Sequence, residues 1–148
     1  LGNPESIFVE QLEEWNKSGV VNWLGERADI AQLLTESHIA VLPSYREGLP
    51  KSLIEAAAVG RAIVTTDVPG CREVVKDGEN GFLVPAKDAK ELSIAIQKLI
   101  NNPKLLTSMG KKSRLMAEQE FSIQKVISKT LALYSKIGSD PKRDKRAG

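Results

Sequence analysis

Cysteine occurs once in the 148 residues, as Cys71, and histidine once, as His38. A single thiol excludes an intramolecular disulfide and fits a reducing compartment, so a cytoplasmic location is expected. So few sulfur and imidazole ligands leave no metal-ligand spacing, and no His-Glu-x-x-His occurs, so no metal is expected. No apolar run approaches the ~18 residues of a membrane span, and no signal-peptide pattern is present. A net charge of +2 is too small to argue for nucleic acid as a partner. Gly-x-Gly-x-x-Gly and the phosphate-binding P-loop are missing, so neither nicotinamide nor ordinary nucleoside triphosphate binding is indicated. Without Gly-x-Ser-x-Gly there is no nucleophile elbow of the hydrolase kind.

What is present is the composition of an ordinary soluble protein, 41% hydrophobic and 27% charged. The length suits one domain with a buried core. Positive charge gathers in Lys142-Arg143-Asp144-Lys145-Arg146. Residues 138–148 are therefore expected to form a disordered tail, with a membrane-surface role as the alternative reading. The chain opens on Leu1-Gly2-Asn3-Pro4 without an initiator methionine, and is expected to be part of a longer protein.

Helix and strand patterns alternate along the first part. Asn3-Pro4 starts a helix running to about Ser18, with Ile7, Phe8, Leu12 and Trp15 on one stripe. The β-branched and aromatic run Val20-Val21-Asn22-Trp23-Leu24 reads as a strand closed by Gly25. Asp29 caps a short helix through Ile30, Leu33 and Leu34. Strands follow at 39–42, 62–66 and 81–85, with Asp67-Val68-Pro69-Gly70 as turn chemistry and a helix from Cys71 to Lys76 between the last two. Apolar runs without strict alternation indicate strands buried on both faces, as in a parallel sheet. From Asp88 the pattern is purely helical, broken at Asn101-Asn102-Pro103 and again near Phe121-Ser122. The expected fold is α/β, a Rossmann-like parallel sheet flanked by helices, with a helical C-terminal segment.

The stretch that bears on function is Arg46-Glu47-Gly48-Leu49-Pro50-Lys51-Ser52-Leu53-Ile54-Glu55. It follows the strand at 39–42 and enters a helix at 51–59. Glu47 thus sits in a strand-to-helix loop and Glu55 on the helix. Open α/β sheets build ligand sites in such loops, at the carboxyl ends of their strands. A helix start also offers N–H groups and a favourable dipole to anions. Two acids beside such an end suit a ligand carrying both hydroxyls and phosphates. On spacing alone, a turn acid plus a solvated helix acid explains the pair equally well. Other acids are read as solvated, His38 as structural, and Cys71 as a small residue at a helix start. Glu73 is read as a partner of that helix's dipole, or else as part of the site.

Five segments in order resolve the balance. They are Val21-Asn22-Trp23-Leu24-Gly25-Glu26-Arg27-Ala28-Asp29-Ile30, Ala40-Val41-Leu42-Pro43-Ser44-Tyr45-Arg46-Glu47-Gly48-Leu49-Pro50, and Glu55-Ala56. The last two are Val64-Thr65-Thr66-Asp67-Val68-Pro69-Gly70-Cys71-Arg72-Glu73-Val74-Val75 and Asp77-Gly78-Glu79-Asn80-Gly81-Phe82-Leu83-Val84-Pro85. Together they resemble the C-terminal, donor-binding half of the family 4 retaining glycosyltransferases, enzymes of the two-domain GT-B architecture. The resemblance implies that residues 1–137 are part of a nucleotide-sugar-binding domain.

The resemblance also implies roles. The acid matching Glu47, counted as the catalytic residue, hydrogen-bonds hydroxyls of the donor sugar, and the acid matching Glu55 holds the ribose. Ionised carboxylates accept such bonds strongly. Backbone N–H groups of Gly48, Leu49 and Lys51 would face sugar and diphosphate, whereas Pro50 has none to offer. The loop Gly25-Glu26-Arg27 would border the nucleobase. Ser44 and the Pro69-Gly70-Cys71 turn are further candidates at neighbouring strand ends.

The implied reaction transfers a sugar from a nucleotide diphosphate sugar to a glycan or lipid-linked acceptor with retention of configuration. It needs no cofactor, the nucleotide sugar being a substrate. An Arg/Lys pair that neutralises the leaving diphosphate is expected upstream of Leu1, as is the N-terminal acceptor domain. This chain alone is therefore expected to be inactive, and the full enzyme to act in the cytoplasm or at the inner face of the membrane. Alternatives are a sugar-nucleotide epimerase of the same architecture and a non-catalytic flavodoxin-like binding domain.

Overall fold

A computed structural model describes residues 7–138. The chain divides into two compact units, Leu1–Ile30 and Ala31–Gly148. The expected helix start at Asn3-Pro4 and the expected disorder of the tail both lie outside the described residues, apart from Gly138.

The first unit holds α1 (Val9–Lys17). After it the chain does not form the expected strand: residues 20–24 carry no ladder. Their amides turn back instead. Val20 N–H donates to the Trp15 carbonyl at 3.2 Å, and Trp23 N–H to the Asn16 side chain at 2.9 Å. β-Branched residues favour an extended backbone, but a strand is stable only when a neighbour takes its hydrogen bonds. Among the described residues none does so. Asp29, expected to cap the next helix, has its carboxylate bound by Arg27, whose Nε donates to Oδ1 at 2.7 Å. That hydrogen bond is the main cause holding the Asp29 carboxyl below its usual range.

The second unit is built on a three-stranded parallel sheet in the order β1 (Ile39–Leu42), β2 (Ala62–Thr66), β3 (Gly81–Val84). The register pairs Ile39 with Ala62 and Leu42 with Thr65 on one side of β2, and Ile63 with Gly81 on the other. Every residue of β2 is buried, including the two threonines that end it. Its side chains alternate between two cores. Ile63 joins Ala40, Leu53, Ala56, Cys71 and Val74. Ala62 and Val64 join Val84, Ala95, Leu99 and Met109 on the opposite face. β2 is thus covered on both sides, the arrangement that parallel strands need, whereas the edge strand β1 corrects the expectation of burial on both faces, since its Val41 is 41% exposed.

The connections are helices. α2 (Ile30–Glu36) leads into β1, and α3 (Lys51–Ala58) joins β1 to β2. α4 (Pro69–Val74) joins β2 to β3. Its start corrects the sequence expectation: Pro69 and Gly70 are helical rather than a turn. Proline suits the first helical position because its missing N–H would have no partner there. The shift leaves Glu73 exposed and beyond the first turn, so it is no dipole partner at the helix start.

Three helices complete the unit, α5 (Ala89–Ile100), α6 (Pro103–Glu120) and α7 (Ile123–Gly138). Asp88 caps α5 by accepting from Glu91 N–H at 3.0 Å, and Asn102 caps α6 by accepting from Leu105 N–H at 3.0 Å. α6 packs on β2 and α3 through Gly110, where a Cβ would come 2.4 Å from the Gly60 carbonyl oxygen.

Candidate functional site

The carboxyl ends of the strands collect most of the expected site residues. Ser44, Glu47, Gly48, Leu49 and Pro50 form the β1–α3 loop, and Lys51 and Glu55 lie on α3. Glu47 is half-buried and accepts a hydrogen bond from Ser44 Oγ at 2.6 Å. One carboxylate oxygen is therefore engaged and its orientation fixed, which leaves the group able to accept further bonds. Ser44, expected as a further ligand-side candidate, is the donor of this bond.

α3 starts without a side-chain cap, because Pro50 holds the N-cap position. Leu53 and Ile54 N–H groups close onto the Pro50 carbonyl. Among the described residues no acceptor meets the N–H groups of Gly48, Leu49, Lys51 or Ser52. Helix-start donors of this kind, together with the positive end of the dipole, are what an anionic ligand binds. One turn into the helix, Glu55 is ion-paired with Lys51 at 3.3 Å. Lys51 is 88% exposed, so the pair is labile and leaves Glu55 exchangeable to other donors.

Three contributions take their roles from the packing. Two adjacent buried threonines at the end of β2 fasten the exit from β1. Thr65 Oγ1 donates to the Leu42 carbonyl at 2.7 Å, and Thr66 Oγ1 donates to the Ser44 carbonyl. Gly70, at the start of α4, lies directly beneath the loop: a Cβ there would be 1.9 Å from the Gly48 carbonyl oxygen. Tyr45, from the same loop, carries Lys87 over its ring, with Nζ 5.1 Å from the centroid. Lys87 itself adopts a left-handed φ of 65° just past β3. The signal that could have found the threonines is the polar pair ending an otherwise apolar buried strand.

Cys71 is fully buried next to Thr65, with Sγ 3.1 Å from Thr65 Oγ1. Burial pushes its thiol above the ordinary range, the Thr65 hydrogen bond works against this, and the Glu47 charge adds to the rise. A thiol held protonated is a packing residue and not a nucleophile. Asp67, next to the α4 start, is bound by Arg72 Nε at 2.5 Å, which holds its carboxyl below the usual range.

Arg27 belongs to the first unit, where it pairs with Asp29, and is not among the residues that the second unit assembles. His38 is exposed and lines a separate cleft of about 590 Å³ with Gly60, Arg61, Lys111 and Arg114. That cleft lies where strands β1 and β2 begin, at the opposite end of the strands from Glu47. Its cations are largely occupied: Arg61 donates to the Ser37 and Val59 carbonyls, and Arg114 to the Ala58 carbonyl.

A family model described as "Glycosyl transferases group 1" matches residues 2–116. The chain is 39% identical over 136 residues to the N,N'-diacetylbacillosaminyl-diphospho-undecaprenol alpha-1,3-N-acetylgalactosaminyltransferase of Campylobacter jejuni, covering 92% of this chain and 36% of that protein. It is 31% identical over 134 residues to the putative glycosyltransferase EpsD of Bacillus subtilis, covering 90% of this chain and 35% of the relative. Among solved structures, Anabaena HepE in complex with UDP superposes with a TM-score of 0.79 at 25% identity, over 86% of this chain and 35% of that one. The sucrose-phosphate synthase of Thermosynechococcus elongatus gives a TM-score of 0.79 at 26% identity, over 93% of this chain and 37% of that one. The chain thus spans about a third of the length of the curated relatives it matches.

Proposed function

The chain belongs to the glycosyl transferases group 1 family, and on that premise we propose that it is the donor-binding part of a retaining glycosyltransferase. The donor is a nucleotide diphosphate sugar, of uridine type, and the acceptor a glycan or a lipid-linked sugar. The uridine base is supported by the bound UDP of HepE. The lipid-linked class is supported by the diphospho-undecaprenol in the name of the Campylobacter relative. The full enzyme would then work in the cytoplasm and meet the inner face of the membrane as a peripheral protein. Residues 1–137 are its partial donor domain, and the remaining acceptor domain is its natural partner.

The observation that carries the reading is the Glu47 carboxylate, fixed by Ser44 at 2.6 Å beside open N–H donors at the start of α3. In this reading Glu47 accepts hydrogen bonds from sugar hydroxyls. Glu55 exchanges its labile partner Lys51 for the ribose hydroxyls. The N–H groups of Gly48, Leu49 and Lys51 meet the diphosphate side. As the glycosidic bond lengthens, positive charge grows on the sugar and negative charge on the departing diphosphate. Donors fixed in advance around that diphosphate lower the barrier because they need no reorganisation.

Calorimetric titration tests this. The chain should bind UDP and at least one UDP-sugar from a panel of glucose, N-acetylglucosamine and N-acetylgalactosamine derivatives. Glu55→Ala should weaken UDP and UDP-sugar alike by about 10- to 100-fold, the range for charge-assisted hydrogen bonds. Glu47→Ala should spare UDP and weaken only the UDP-sugar. Absence of binding, or equal losses for both ligands in Glu47→Ala, overturns the assignment.

A further inference from the structure

The ladder between β1 and β2 ends at the Leu42–Thr65 pair. Ser44, two residues further on, has left the sheet, so its carbonyl has no strand partner. It is nevertheless bound, because the Thr66 hydroxyl supplies the donor that a ladder N–H no longer can. Thr66 is only 3% exposed, so this bond is shielded from water. Ser44 then passes the constraint on through its own side chain, which donates to Glu47 Oε1 at 2.6 Å. On the other side of the loop Gly70 leaves no slack: a Cβ at that position would meet the Glu47 carbonyl oxygen at 2.5 Å and the Gly48 carbonyl oxygen at 1.9 Å.

From this chain of contacts we infer that Thr66 is a positioning residue for the sugar-binding acid, acting through Ser44. It never reaches the ligand. The buried hydroxyl fixes the Ser44 backbone, the Ser44 hydroxyl fixes the carboxylate, and the backbone contact with Gly70 sets how high the loop stands. The inference rests on Glu47 being the sugar contact. Thr65 provides the internal comparison. It is the same residue type, adjacent and equally buried, but its hydroxyl goes to Leu42, inside the ladder and upstream of the loop.

The test compares UDP with the tightest-binding UDP-sugar of the panel, by calorimetry, with a thermal melt of each variant. Thr66→Val should weaken the UDP-sugar about tenfold and UDP less than about twofold, the scale of one lost hydrogen bond. Thr66→Ser, which keeps the hydroxyl, should restore the wild-type ratio. Thr65→Val should lower the melting temperature without moving that ratio. Ser44→Ala removes only the last link and should match the Thr66→Val ratio, with no further loss in the double variant. If Thr66→Val does not fold, Ser44→Ala decides.

Equal losses for both ligands in Thr66→Val, or a wild-type ratio in Ser44→Ala, overturn the inference while a selective Glu47→Ala leaves the donor reading intact. A non-selective Glu47→Ala overturns the donor reading and this inference with it.

Discussion

A methyl group added at Gly48 would meet no heavy atom within 4 Å, and the backbone there is not left-handed. Nothing in the fold itself demands glycine at this position. Gly48→Ala should therefore keep or slightly raise the melting temperature, since alanine loses less chain entropy on folding. If the loop faces the donor, the same variant should weaken the UDP-sugar about tenfold, as one intruding methyl group does in a close-packed site. Titration and a thermal melt read both effects, and unchanged UDP-sugar affinity would place the donor elsewhere. Residue by residue, the site was legible where its logic is local. A loop and the helix after it are read directly from sequence, which places Glu47 and Glu55, and the ordered flanking segments single them out as candidates. Thr66 does not stand out, and Gly70 is read only as part of a turn, without its contact to the loop. Thr66 acts on a residue 22 positions away, and Gly70 on a loop that reaches it only through the packing of α3 and α4 against one another.

At the level of elements, α4 shows how a helix end and a charge pair cooperate. Arg72 reaches back to Asp67, the residue just after β2, and depresses its carboxyl. A group whose folded pKa lies below its unfolded value stabilises the fold above the ordinary carboxylate range, and that contribution disappears as pH falls through the lowered value. The melting-temperature gap between wild type and Asp67→Asn should thus be small but fully present at neutral pH, and close toward zero in acid. A gap unchanged down to about pH 2 would show that the ion pair is not its source. The strands β1, β2 and β3 and the helices α3, α5 and α6 were legible because apolar runs, caps and breakers coincide in sequence. Residues 20–24 were not, since strand propensity says nothing about whether a neighbour exists to pair with. The start of α4 was misread because Pro-Gly marks both turns and helix beginnings, and only the packing of Gly70 against the loop decides between them.

For the molecule as a whole, α7 leaves a row of apolar side chains in solvent: Ile123, Ile127, Leu131 and Tyr134 are 72%, 53%, 61% and 67% exposed. These recur at helical spacing, and an exposed apolar row of this length marks a surface made for covering. The chain spans about a third of its relatives' length, and on the proposed reading the acceptor domain is the cover. The chain by itself should bind a hydrophobic dye, and Ile127→Lys combined with Leu131→Lys should abolish most of that signal while leaving UDP affinity unchanged. Dye binding that persists in the double variant would assign the exposed surface to another face. Gly70 has a consequence for anyone wishing to redirect such an enzyme to a new sugar. The Glu47–Gly48 turn rests on the first residues of α4, so the two segments form a single transplantable cassette. A graft whose helix start carries any residue but glycine at the position of Gly70 sets a side chain against a backbone carbonyl. Both segments have to travel together, with the strand end that carries Thr66 between them.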